Sequence, residues 1–243
     1  MEVHAHTHTE RKKWTHYFWE FLMLFLAVFC GFLAEYQLEH TIEHNRERQL
    51  MQSMVEDLCD DTTGIKENLS EVFSRKEFID SILLQLSEND ISEQSIRIAG
   101  KYTIPALARI PFTFTDRTST QLKNSGGMRL IRKKNISGEI VMYWKLVDNI
   151  VTSVERYDHY RSMGRDMETK IFNLAENYLQ NSGRLKASDK MTLIRKDQLL
   201  IKEYANVVAY CGVTLNPFTA QLKEQLSKAT LLIGKIKKEY HLK

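Results

Sequence analysis

The chain has 243 residues, 43% hydrophobic and 27% charged, with 10 Gly and only 3 Pro. So few turn formers exclude a sandwich or barrel and favour long helices, and the length allows one domain or at most two small ones. The formal charge of +3 is the difference between 34 basic and 31 acidic residues, too small a field to gather nucleic acid.

Residues 1–13 carry His4, His6 and His8 in alternation and end on Arg11, Lys12 and Lys13. Three imidazoles on a tail can bind zinc, nickel or copper, but no Cys or carboxylate stands beside them at a fixed spacing, and a plain solvated terminus is the alternative. Residues 14–34, WTHYFWEFLMLFLAVFCGFLA, are long enough to cross a bilayer as a transmembrane helix. Trp14, Tyr17 and Trp19 form an aromatic belt at one end. Glu20, the only acid or strong base in the run, sits near that belt. It either reaches the headgroups by snorkelling beside Lys12 and Lys13 or meets a polar group of a partner helix. Signal peptidase needs small residues at −3 and −1, and a cut after Ala34 would place Phe32 at −3, so the segment is expected to stay attached. Arg11 to Lys13 precede the span, whereas Glu35, Glu39 and Glu43 follow it. The bias predicts a cytoplasmic tail and a periplasmic main domain, held in a bacterial inner membrane.

Residues 35–50 are polar on almost every face and read as a juxtamembrane helical stalk. The extracytoplasmic domain, 51–243, opens on an apolar seam at Met51, Val55, Leu58, Ile65, Leu69, Val72, Ile79, Leu83 and Leu86, broken by Thr62 and Lys76. A sustained spacing of about 3.5 residues suits either a parallel coiled coil with a second copy or an antiparallel helix of the same chain. Asp60 to Gly64 is expected to kink or break this helix, and Ser87 to Asp90 to end it.

A short helix follows at 91–98, then an irregular stretch bracketed by Pro105 and Pro111. Thr115 or Asp116 caps another short helix, which stops at Ser125-Gly126-Gly127. A second long stripe runs from Ile140 to Tyr178. A third helix opens at Ser188 or Asp189, and Asn216-Pro217 reads as the start of a fourth. The fold class is therefore all-α: one N-terminal transmembrane helix and a bundle of long helices. Cys59 and Cys211 fall on apolar stripes, which implies two buried thiols or, in an oxidising compartment, a disulfide.

Arg129, Arg132, Lys133 and Lys134 follow the glycine pair closely, so backbone N–H groups and four cations can hold an anion or lipid headgroup; a solvated basic turn is the plain alternative. For catalysis the inventory is thin, with no HExxH, GxSxG or GxGxxG. His159 stands alone beside Asp158, and Tyr143, Trp144, Tyr157 and Tyr160 either line a pocket or fill the core. No cofactor is indicated.

The stretch HTHTERKKWTHYFWEFLMLFLAVFCGFLAE at 6–35 resembles the opening of a set of uncharacterised, N-terminally anchored bacterial proteins. FTFTDRTSTQLKNSGGMRLIRKK at 112–134 is similar to an L-x-x-S-G-x-x-x-x-I stretch in them. The resemblance implies an anchor and a location but no activity. The expected function is non-enzymatic: binding of another protein in an envelope assembly, or self-association. The alternative is a small-ligand sensor domain signalling through a partner.

Overall fold

The computed structural model describes residues 14–186 and 191–242, so His4, His6, His8, Lys12, Lys13, Ser188 and Asp189 lie outside the described residues. Its elements are α1 (Trp14–Gln85), α2 (Glu93–Ala106), α3 (Arg117–Asn124), a 3₁₀ turn (Gly127–Leu130), α4 (Lys134–Ile171), α5 (Leu174–Asn181) and α6 (Gln198–Tyr240). Among the described residues the only extended pairing is one isolated bridge between Phe172 and Leu193. The all-helical expectation holds. The chain divides into two compact units, Met1–Gln49 and Leu50–Lys243.

In the first unit the apolar part of α1 is exposed on every side and is long and apolar enough to cross a membrane. Phe21, Phe25 and Phe29 stack in a row at spacings of 6.2 and 5.9 Å. That is the neighbour relation of i and i+4 on a helix. Residues 35–49 continue as helix with mostly exposed side chains.

The second unit is built on three long helices. Asp61 of α1 meets Tyr143 of α4, while Lys76 meets Asn216 of α6 and Phe73 meets Lys223. Tyr160 of α4 stacks on Tyr210 of α6 at 5.1 Å, and Glu139 pairs with Lys235. These pairings make α6 antiparallel to both α1 and α4. The seam of α1 is used inside this one chain: Met51, Val55, Leu58, Ile65, Val72, Ile79 and Leu86 are all buried. Two apolar clusters result, one around Ile79, Tyr157, Tyr204 and Phe218, the other around Met51, Leu58, Trp144 and Ile236.

Several expectations are corrected. No break occurs at Gly64, because α1 is continuous to Gln85. The hydroxyls of Thr62 and Thr63 donate to the Cys59 carbonyl and Asn68 donates to the Gly64 carbonyl, all within the helix. With buried residues on both sides of Gly64, packing outweighs the cost of about 1 kcal/mol for a mid-helix glycine. Asn216-Pro217 does not start a helix either; Pro217 lies inside α6. The carbonyl it leaves without a donor belongs to Val213, an exposed residue where water can substitute, and the Asn216 side chain accepts from Lys76 Nζ at 2.8 Å instead of capping.

The stripe read as reaching Tyr178 ends at Phe172, whose backbone turns extended, and Tyr178 is exposed. Asn173 then caps α5 by accepting from the Glu176 amide at 3.2 Å. Pro105 lies in the last turn of α2 and does not open a loop. Cys59 is exposed while Cys211 is buried, and both are free, so neither two buried thiols nor a disulfide is found.

Candidate functional site

Two carboxylates of α1 accept hydrogen bonds from the middle segment and from α4. Asp57 accepts from Arg117 Nε at 2.9 Å and from the Thr118 amide at 2.8 Å. Asp61 accepts from the Thr115 amide at 2.7 Å and from the Tyr143 hydroxyl at 2.6 Å. The Thr118 amide, in the first turn of α3 and without a partner in its own helix, is thus capped from another helix, the Thr115 amide just before α3 is held the same way, and Asp116, the residue before α3, makes no side-chain cap. Burial raises the Asp61 pKa, opposed by these hydrogen bonds, and burial next to that acid pushes the Tyr143 phenol far up, so it stays a donor. The arrangement fixes the middle segment against α1.

At the C-terminal end of α2, Arg75 donates to the Pro105 carbonyl, and Tyr157 donates to the carbonyls of Ala106 and Ala108 at 3.2 and 3.1 Å. Those of Pro105 and Ala106 are among the carbonyls a helix leaves free at its C-terminus. Trp144 and Tyr157 are core residues, Tyr143 is buried but also borders the α4/α6 groove, and Tyr160 is half-buried. His159 lies against Tyr160, while Asp158 turns to Arg161 and Arg109. No group of three or more His, Cys, Asp or Glu suited to a metal occurs among the described residues.

The basic cluster is divided by the fold. Lys133 donates to the Glu239 carbonyl at 2.9 Å, pairs with its carboxylate, and lies over the Tyr240 ring at 5.5 Å. It therefore caps the C-terminal end of α6, where a cation is favoured. Arg129, Arg132 and Lys134 are exposed around the start of α4. Trp14, Tyr17 and Trp19 are exposed on α1, and Glu20 lies 3.5 Å from His16.

The surface feature that chain-order reading missed lies between α4 and α6. A groove of about 230 Å³ is floored by Tyr143, Leu146 and Leu232, and Met142 and Leu231 stand on it 60% and 57% exposed. Glu139 and Lys235 pair across it, and Glu224 and Lys228 edge it. Gly138 and Gly234, adjoining that pair in sequence, have open space where a side chain would be. Glycines inside a helix cost helix stability, and among the described residues nothing lies within 4 Å of the space they leave. The sequence signal was present in the apolar residues one position off the buried stripe, but either helix alone makes them ordinary outer-face residues.

A second, more polar cleft of about 400 Å³ lies between α2 and α5, lined by Lys101, Ile104, Pro105, Asn177, Gln180, Asn181 and Met191. Its amides are already used along α5: Asn181 donates to Asn177 at 2.7 Å and Gln180 to Glu176 at 3.1 Å.

No protein-family model, no curated protein and no solved structure matches this chain.

Proposed function

We propose that this chain is a non-enzymatic, membrane-anchored helical domain that binds another protein in an envelope assembly. In this reading residues 1–13 lie in the cytoplasm, 14–34 span the inner membrane, and the domain from Leu50 onward is periplasmic. The lysine and arginine bias around the span supports the direction. The α4/α6 groove carries the binding reading: an apolar floor, two exposed apolar side chains and a charged edge suit an amphipathic helix laid into it. The seam of α1 is a poor site for self-association, because its residues are covered within one chain.

The sensor reading draws on the α2/α5 cleft. It has weaker support, since the polar side chains there are largely bonded to one another.

The test is a photoreactive amino acid placed at Met142 or Leu231 in the full-length protein in native membranes, with the exposed Leu84 as control. One defined adduct at both groove positions, absent at Leu84 and lost from position 142 when Leu231→Glu is added, supports the proposal. An adduct at twice the chain mass identifies the partner as a second copy. Labelling that is absent, or equal at Leu84, contradicts a binding groove.

A further inference from the structure

Glu168 stands on α4 where Ile140, Tyr143, Val147, Ile150, Tyr157, Gly164 and Ile171 make the buried face, and it is itself fully buried. Its surroundings come from three helices. From α2 it meets the Thr103 hydroxyl, from α6 the buried phenol of Tyr204, and from α4 Arg165, whose guanidinium is 4.0 Å away and 40% exposed. The buried Cys211 thiol of α6, pushed up to about 12 by burial, lies beyond Tyr204.

Thr103 and Arg165 favour an ionised carboxylate, but burial outweighs them. The Thr103 hydroxyl donates to the Gly100 carbonyl at 3.0 Å, and while it does so it has only lone pairs to offer. Neither Glu168 oxygen has a hydrogen bond of good geometry, and the Tyr204 hydroxyl likewise has none. A carboxyl group that keeps its proton can instead donate to the free lone pairs of Thr103. The junction has little slack: a side chain at Gly100 would lie 2.8 Å from the Phe172 ring and 2.9 Å from Met191. The Phe172 ring in turn packs edge-on to Tyr204 at 6.0 Å. Water to solvate a charge there has to come from movement of a packed element. The lightest one is α2, 14 residues against 38 and 43 in α4 and α6.

We propose that Glu168 is a proton-operated latch: holding its proton it closes the junction of α2, α4 and α6, and on losing it as pH rises it loosens α2 from that junction. The direction follows from linkage. Burial raises the Glu168 pKa in the fold above its ordinary 4.5, so the closed state holds a proton that the open state releases. Closure is strongest below the ordinary value and weakens as pH climbs from there through the raised one.

The test is hydrogen exchange on the full chain in detergent micelles, from about pH 4.5 to about pH 8, corrected for the intrinsic pH dependence of exchange. The amides of α2 in the native protein should open about tenfold more per pH unit over the part of this range between the two pKa values. Amides in the middle of α4 should not follow. In Glu168→Gln, which keeps the shape without the titration, α2 should stay protected throughout. A native α2 whose protection is flat with pH, or a Glu168→Gln protein that opens as the native one does, overturns the proposal. Should Glu168→Gln fail to fold, the native profile and Glu168→Met decide by the same criteria.

Discussion

The two ends of α1 use apolar side chains in opposite ways. Over residues 14–34 they face every direction and are exposed, whereas from Met51 to Leu86 they occupy one stripe and are mostly buried against α4 and α6. A helix apolar all round has no face to turn to water and requires a nonpolar surrounding, while a striped helix requires partner helices. Polar residues divide in the same way. In the striped part, Asp57 and Asp61 are buried and fully engaged by Thr115, Arg117, Thr118 and Tyr143, but Glu20 near the start of the other part pairs with exposed His16. Continuous helix thus carries two different instructions, and substitutions should separate them.

The largest effect is expected in the striped part. Ile79→Ala removes a fully buried side chain and should cost the domain about 2–5 kcal/mol, read as a lowered denaturant midpoint, with no change in the membrane-bound fraction. Leu26→Arg should do the reverse. An arginine mid-span costs about 2.5–3.5 kcal/mol of insertion, so the protein should shift toward the soluble fraction while the domain keeps its midpoint. A smaller loss should follow Asp57→Ala. It leaves the Thr118 amide without its acceptor and Arg117 with Asp60 alone, at a cost of about 1–3 kcal/mol, and protease sensitivity should rise first around residues 112–125.

Much of this division is legible in the sequence, because period and composition are local properties. The seam positions from Met51 to Leu86, the helix end at Ser87 to Asp90, and the left-handed turn at Gly126 all read directly. What failed were local stop signals overruled from a distance. Asp60 to Gly64 looks like a break when read alone, yet Asp57 and Asp61 are acceptors for a segment more than fifty residues later. Asn216-Pro217 looks like a helix start, yet Asn216 is engaged by Lys76, and the carbonyl that Pro217 orphans is on the wet side. The α4/α6 groove was illegible because Met142 and Leu231 become neighbours only when two helices ninety residues apart pack together. Glu168 was legible in principle, four residues after Gly164 and three before Ile171 on the same buried face.

The central claim is that one span holds this domain on the far side of the membrane from its N-terminal tail. Alkaline phosphatase, which matures only outside the cytoplasm, fused after Lys243 tests it directly. The account predicts an active, membrane-bound fusion and a silent counterpart carrying a cytoplasmic reporter. A silent phosphatase together with an active cytoplasmic reporter would contradict it.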